Sequence, residues 1–215
     1  RGHGQVLWAL FLGAFMKLFF DVETYLITRD VAFPKMVCVS WAYRDPAGEI
    51  VTGLLGNGDD LTPFWDLLFD AELACAHRTS FDLGVIYHSY PHLQPLIWQA
   101  LEDGKITDTV LREKLINLST HGHLDSVVLP NGAERKISYS LATVVQDRLG
   151  IDISPKKEGD DIWRLNYCML DGMRAADYPD EARDYAIEDS VYALQIFESQ
   201  EADMERVGAS TVPEF

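Results

Sequence analysis

Phe20-Asp21-Val22-Glu23-Thr24 closes the first apolar segment of this chain and decides how the fold begins. The apolar residues before the acidic pair predict a β-strand, and alternation along a strand points Asp21 and Glu23 to the same face. Neighbouring carboxylates repel, and a hard divalent cation such as Mg2+ or Mn2+ relieves that repulsion. Acidic pairs also occur at solvated strand ends, so this pair alone does not establish a metal site.

Two further acidic motifs follow in chain order. Asp82 starts a predicted helix directly after a short buried strand, where active sites of α/β folds gather, although helix dipoles alone also favour an acid there. Tyr185 and Asp189 are four residues apart on the last predicted helix and therefore share one face. Without the other motifs, the simpler interpretation is a tyrosine in the core and an aspartate on the surface. Taken together, the ordered motifs predict two divalent cations roughly 4 Å apart, a separation suited to in-line phosphoryl displacement.

The order of predicted elements indicates an α/β domain around a mixed central sheet. The apolar patterns predict strands at 16–23, 35–43, 49–55 and 73–77, and helices at 62–70, 81–89, 108–118, 138–149 and 179–207. The pair Asn131-Gly132 predicts a hairpin within residues 127–137. Pro91 and Pro95 are read as a break in the chain between the second and third helices.

The composition fits one soluble domain with an acidic surface. The chain has 215 residues, 47% of them apolar, and a formal net charge of −16. Solubility alone explains such a charge, whereas proteins that mainly grip nucleic acid are usually basic. An acidic chain that handles DNA must therefore concentrate its few cations locally and recruit metal ions, unless a more basic domain accompanies it.

The cysteines and the chain ends suggest where the domain begins and ends. Cys38, Cys75 and Cys168 are too few and too scattered for a disulfide framework, which favours a reducing compartment such as a cytoplasm. The apolar run within residues 1–15 is too short to span a membrane, and we read this leader as non-native. The domain is predicted at 16–207, with 208–215 as the start of a linker towards a further domain.

Over roughly residues 16–205, the chain resembles a known family. It is similar to the DEDD-type 3′–5′ exonucleases with a ribonuclease H-like fold, in the subgroup whose third motif carries a tyrosine. It looks most like the proofreading exonuclease domain of phage-type family A DNA polymerases. The segments that carry the resemblance are Phe20-Asp21-Val22-Glu23-Thr24, Ala76-His77-Arg78-Thr79-Ser80-Phe81-Asp82 and Tyr185-Ala186-Ile187-Glu188-Asp189.

The resemblance implies a role for each motif residue. The metal-site acids would be Asp21, Glu23, Asp82 and Asp189. Tyr185, together with Glu23, would orient the water that attacks the phosphodiester. The resemblance also implies a DNA substrate, digested from the 3′ end to nucleoside 5′-monophosphates, and a covalently linked polymerase as partner.

Substrate contacts are implied at three positions. Thr24 and Ile27 fall where family members contact and wedge the terminal nucleotide. Arg78 stands where the family usually has asparagine, four residues before the second-motif aspartate. This arginine could pair with Asp82, hold a phosphate or repel the second cation.

The sequence offers three cations and one histidine as further candidate contacts to nucleic acid. Lys156, Lys157 and Arg164 could bind the nucleic-acid backbone, although solvated surface cations are more common. His77 is read as a hydrogen-bonded structural residue. Trp163 and Tyr167 are read as core side chains and not as platforms for nucleobases.

Two other functions remain open from the sequence. One is a 3′–5′ exoribonuclease of the ribonuclease D type, because no residue visibly reads the 2′-hydroxyl. The other is an inactive exonuclease fold that positions DNA, a reading that only Arg78 favours.

Overall fold

The computed structural model describes residues 16–128, 131–154 and 163–208. The predicted leader lies outside the described residues, as do Lys156, Lys157 and all of the predicted linker except Gly208.

A five-stranded mixed sheet forms the centre of the described chain, in the order β3-β2-β1-β4-β5. The first three strands pair antiparallel, and β1, β4 and β5 pair parallel. The strands are β1 (Lys17–Thr24), β2 (Met36–Arg44), β3 (Ile50–Gly56), β4 (Leu73–Ala76) and β5 (Ile106–Asp108). This sheet confirms the predicted mixed α/β architecture.

Helices cover both faces of the sheet. Helices α1 to α3 share one hydrophobic cluster with β1 and β2, while α7 packs on the first three strands and also contacts α4 and α5. The helices are α1 (Thr62–Asp70), α2 (Thr79–Ser89), α3 (Gln94–Glu102), α4 (Thr109–His121), α5 (Leu141–Leu149), α6 (Trp163–Asn166) and α7 (Asp180–Arg206). None of the helices in the described ranges has both the length and the apolar content needed to cross a bilayer.

Strand β1 separates the two faces by simple alternation. Leu18 and Phe20 are fully buried in the cluster shared with α1 to α3. Phe19 points the other way and packs on Phe197 of α7, with ring centroids 5.2 Å apart. Because side chains two residues apart share a face, Asp21 lies on the α7 side of the sheet.

Local hydrogen bonds explain where two turns form. After β2, the Asp45 side chain accepts the backbone N–H groups of Ala47 and Glu49, each at 2.9 Å, and so closes the turn into β3. The predicted hairpin is confirmed: β6 (Ser126–Val128) pairs antiparallel with β7 (Glu134–Lys136). Gly132 adopts a φ of 78° in its turn, which glycine tolerates without steric cost.

Three of these strands and helices were not predicted from the sequence, namely α3, β5 and the short α6. Helix α3 occupies the stretch in which Pro91 and Pro95 predict a break in the chain. Pro95 instead lies in the first turn of this helix, where no backbone N–H is needed. Strand β5 is only three residues long and ends at Asp108, which was assigned to the following helix. Asp108 ends β5 and also caps α4, because its Oδ1 atom accepts the Val110 N–H at 2.7 Å.

Candidate active site

Three carboxylates from β1 and α7 converge at the end of the sheet. One ligand oxygen from each of Asp21, Glu23 and Asp189 lies within 4.8 Å of the other two. Glu23 is buried, with 9% of its surface exposed, while the two aspartates are half-buried. Clustered carboxylate oxygens are the donor set that hard divalent cations prefer, so these residues fit such an ion.

Helix α7 is held against the strands by a buried hydrogen bond. Ser40 lies opposite Asp21 in the β1–β2 ladder, and its hydroxyl donates to the Ala186 carbonyl at 2.7 Å. Ala182 and Ala186 are fully buried, so their small side chains let the helix approach the sheet closely. This contact places Tyr185 and Asp189, on either side of Ala186 in sequence, beside the acidic strand.

Asp82 approaches the same strand from α2. It is only 2% exposed, and its Oδ1 atom accepts the Val22 N–H at 3.4 Å. Its Oδ2 atom has no hydrogen-bond partner in the described part of the chain. Burial raises the pKa of Asp82 well above its ordinary value, and the negative charge of Asp21 raises it further. A cation next to these two groups would favour the ionised form.

Asp82 is not part of the tight carboxylate group that the other three acids form. The group whose ligand oxygens all lie within 4.8 Å contains Asp21, Glu23 and Asp189. Asp82 is nevertheless close enough for Asp21 to act on its pKa. All four predicted acids therefore lie at one end of the sheet, three of them in mutual reach.

Tyr185 is a buried phenol beside the acids. It is 8% exposed, and its ring lies 6.2 Å from that of Tyr167, centroid to centroid. Burial raises the pKa of Tyr185 far above its ordinary value. The negative charges of Asp189 and Glu23 raise this pKa further, while the exposed Arg164 partly opposes the rise. The phenol is therefore neutral at physiological pH and can donate a hydrogen bond.

Tyr167 supports Tyr185 from behind. It is fully buried, and its hydroxyl donates to the Ala182 carbonyl on α7 at 2.7 Å. Trp163 packs on it with ring centroids 6.0 Å apart. The interpretation of Tyr167 as a core residue is confirmed, and Trp163 is half-buried against the same cluster.

The predicted substrate contacts lie where β1 gives way to a loop. The ladder is irregular between Glu23 and Thr24, and the Thr24 hydroxyl donates to the Tyr25 carbonyl at 2.7 Å. Ile27 lies on the loop with 62% of its surface exposed. Both residues are thus close in sequence to the acidic strand, and the Ile27 side chain is open to solvent.

Arg78 has an unusual backbone conformation. It has φ 77° and ψ 50°, the left-handed region, and it is the one non-glycine residue with positive φ in the described ranges. Its backbone N–H donates to Asp108 Oδ1 at 3.2 Å, while its exposed guanidinium forms no ion pair with Asp82. The pairing considered from the sequence does not occur. Asparagine tolerates this region better than arginine, so the arginine at this position carries backbone strain.

His77 and Asp108 fix the loop before α2. The Nδ1 atom of His77 lies 2.8 Å from the Thr109 hydroxyl, and its Nε2 atom lies 3.1 Å from the Tyr139 carbonyl. The structural reading of His77 is therefore confirmed. Asp108 was not singled out from the sequence, yet it is buried and its charge contributes to the raised pKa of Asp82. The sequence signal for Asp108 would have been its position at the C-terminal end of β5, a strand that the sequence pattern did not predict.

Comparison with known proteins bears on the fold. No protein-family model and no curated protein sequence matches this chain. A solved structure described as the apo form of a nuclease matches with a TM-score of 0.56 and 17% identity, over 97% of this chain and 81% of that one. The Nibbler EXO domain of Aedes aegypti matches with a TM-score of 0.56 and 11% identity, over 94% and 85%. The chain has the ribonuclease H-like exonuclease fold. At these identities the likeness establishes the fold, and the function must be argued from the site.

Proposed function

We propose that this protein is a metal-dependent 3′–5′ exonuclease that hydrolyses single-stranded DNA or frayed 3′ ends to nucleoside 5′-monophosphates. The observation that carries the proposal is the meeting of Asp21, Glu23 and Asp189 within 4.8 Å on an exonuclease-type fold. Asp82, buried with one carboxylate oxygen lacking a hydrogen bond in the described chain, supports it from α2. A site built only for stability would not gather four acids in a chain of net charge −16.

The donor set fits two divalent cations, Mg2+ or Mn2+. Asp21, Glu23 and Asp189 would hold them, with Asp82 contributing from the other side of the strand end. When bound, such ions acidify a water molecule and stabilise charge on the leaving 3′ oxygen. Four carboxylates balance the charge of two dications, so the phosphodiester anion can approach an otherwise repulsive site.

The remaining chemistry belongs to the protein's own side chains. The neutral phenol of Tyr185 and the carboxylate of Glu23 would hold the attacking water by donating and accepting a hydrogen bond. The water oxygen loses a proton and forms a bond to phosphorus as the bond from phosphorus to the 3′ oxygen breaks. The leaving 3′ oxygen takes up a proton, so the protons balance. Holding the nucleophile in this way removes much of the orientational cost of the attack.

Substrate contacts are proposed at the rim of the site. Thr24 and Ile27 would contact the terminal nucleotide, and the exposed guanidinium of Arg78 would attract a phosphate. Arg164, which is exposed and whose charge acts on Tyr185, is proposed as a second cation that attracts the substrate. Local cations of this kind would offset the repulsion between an acidic protein and DNA.

The first experiment is digestion of matched 5′-labelled single-stranded DNA and RNA in Mg2+, Mn2+ or EDTA. A metal-dependent ladder that shortens from the 3′ end of DNA supports the proposal. Faster digestion of RNA would identify an exoribonuclease instead, and no cleavage by folded protein in either metal would identify a positioning module. Asp189→Asn should abolish cleavage, while Asp184→Asn, an exposed acid on the same helix, should not.

A proofreading role for a family A DNA polymerase is proposed from the motif resemblance. Proofreading requires that the terminal nucleotide leave its stack, which a mismatch favours. The corresponding test compares primer ends that are matched or mismatched on one template. Equal rates on both ends would argue against proofreading.

A further inference from the structure

The loop at residues 25–35 leaves β1 one residue after the last acid of the β1 motif. It presents apolar side chains to solvent although the chain as a whole is strongly acidic. More than a third of each of these side chains is exposed, namely Tyr25, Leu26, Ile27, Val31 and Phe33. An apolar surface beside a site that accepts phosphate suits the flat face of a nucleobase.

The carboxylate of Asp171, which lies outside the three acidic motifs, contacts both ends of this loop. Asp171 accepts a hydrogen bond from the Tyr25 hydroxyl at 3.1 Å, where the loop begins. The Lys35 ammonium, where the loop ends, lies 2.7 Å from the same carboxylate. The two loop ends are already joined by the β1–β2 ladder and by the Tyr25 N–H, which donates to the Lys35 carbonyl at 3.1 Å. Asp171 therefore anchors this paired loop base to the segment that carries the carboxylate.

Asn57 extends the contact to a third segment. Its Nδ2 atom donates to Asp171 at 2.5 Å and to the Met36 carbonyl at 3.0 Å, and its Oδ1 atom accepts the Gly172 N–H at 2.6 Å. The Lys35 contact keeps the pKa of Asp171 below its ordinary value, so the carboxylate stays charged at neutral pH. The loop, the end of β3 and the segment around Asp171 are therefore bonded through one charged group.

The segment around Asp171 also supports the catalytic side of the site. Asp171 directly follows the 3-10 turn Tyr167–Leu170, whose first residue packs on Tyr185. The same turn contacts β1 and β2. Asp171 thus fixes the exposed apolar loop to the segment that backs Tyr185.

We propose that Asp171 is a positioning residue that anchors loop 25–35 in place as a wall for the terminal nucleobase of the substrate. The proposal rests on the proposed nuclease function. Asp171 does not touch the reacting atoms, because its carboxylate is engaged by Tyr25, Lys35 and Asn57. Its removal should therefore weaken substrate binding more than it slows the chemical step.

The test uses the full chain with Asp171→Ala and Lys35→Gln, and Asp177→Ala as the matched control. Asp177 is an exposed acid on the neighbouring turn, paired only with Arg174 among the described residues. We expect KM for a single-stranded oligonucleotide to rise about tenfold in Asp171→Ala, with kcat within about twofold of wild type. Lys35→Gln, which keeps the Tyr25 and Asn57 bonds, should give a smaller rise, and Asp177→Ala none.

A second readout does not depend on nuclease activity. Arg29 lies exposed in the loop, so trypsin should cut after it faster once the Asp171 anchor is removed, by about fivefold in Asp171→Ala. Unchanged cleavage at Arg29 would show that Asp171 does not hold the loop. Faster cleavage with unchanged KM would show that the loop is held but does not form the substrate wall. If the wild type digests no nucleic acid while the cleavage still accelerates, the proposed function fails and the loop contact stands.

Discussion

Asp82 and Val22 are joined near the C-terminal end of the central strand by a 3.4 Å hydrogen bond from the Val22 backbone N–H to Asp82 Oδ1. Val22 lies between Asp21 and Glu23, so this bond brings the carboxylate from α2 to the acidic strand. The other oxygen of Asp82 has no hydrogen bond within the described residues. A buried carboxylate held in this way is unfavourable unless it is protonated or lies next to a cation.

Asp82→Asn should stabilise the metal-free protein in a pH-dependent way. The folded-state pKa of Asp82 is raised by burial and by Asp21, so the folded protein disfavours the ionised form. The resulting penalty is absent below the unfolded pKa of about 3.9 and grows as pH rises towards the raised folded value. In EDTA, the free energy of unfolding of Asp82→Asn should therefore exceed that of the wild type at pH 8, and the difference should shrink towards pH 4. Thermal melts across this range would reveal it, and a difference independent of pH would count against the ionised buried carboxylate.

Divalent cations should stabilise the wild type through the same acids. At an Mn2+ concentration one hundred times the dissociation constant, the free energy of unfolding should rise by about 2.7 kcal/mol. Asp189→Asn should remove most of this gain, because it deletes one of three carboxylates that lie within 4.8 Å. Asp184→Asn, on the exposed face of α7, should keep it. Melting curves with and without Mn2+ measure the effect, and an equal gain in all three proteins would place the ion elsewhere.

Ser40→Ala should loosen α7 from the sheet. The mutation removes the buried 2.7 Å hydrogen bond to the Ala186 carbonyl and should cost about 1 kcal/mol. For a domain of this size that cost lowers Tm by about 2–4 °C. Because the bond also fixes Tyr185 and Asp189 beside β1, kcat should fall as well. Ser199→Ala removes a bond within α7 itself, to the Ile196 carbonyl, and should leave kcat unchanged.

Arg78→Asn should stabilise the protein. A residue with a Cβ atom pays about 1–2 kcal/mol in the left-handed region, and asparagine tolerates that region better than arginine. We expect a gain of about 0.5–1 kcal/mol, seen as a higher Tm. Arg29→Asn, an exposed arginine without positive φ, serves as the control. A lower Tm for Arg78→Asn would mean that contacts of the arginine side chain outweigh the strain.

The sequence predicted the parts of this fold that depend on local periodicity. Helix α1 was predicted with its observed bounds, and the two-residue spacing of Asp21 and Glu23 placed them on one face, as the structure shows. Strand β5 was missed because three residues carry no readable alternation, and α3 because Pro95 was read as a break instead of a first-turn residue. Element length and proline position, rather than composition, explain these errors.

Contacts between distant segments could not be predicted from periodicity. Asp171 meets Tyr25, Lys35 and Asn57 across more than a hundred residues, and no local pattern around Asp171 signals such a contact. The bond from Ser40 to Ala186, which joins the two halves of the acidic site, is equally remote in sequence. The motif order predicted which acids to consider, and tertiary packing decides how they meet.

Tyr185→Phe should separate catalysis from metal binding. The phenol is buried, neutral at physiological pH and one helical turn from Asp189, so its loss removes a hydrogen-bond donor without removing a charge. If it orients the attacking water, kcat should fall by about a hundredfold or more, since a positioned proton donor contributes at that scale. The Mn2+-dependent rise in Tm should persist, because all four acids remain. Tyr87→Phe, a half-buried tyrosine on α2, is the control. Equal kcat for Tyr185→Phe and wild type would remove Tyr185 from the mechanism and leave the water to Glu23 and the cations alone.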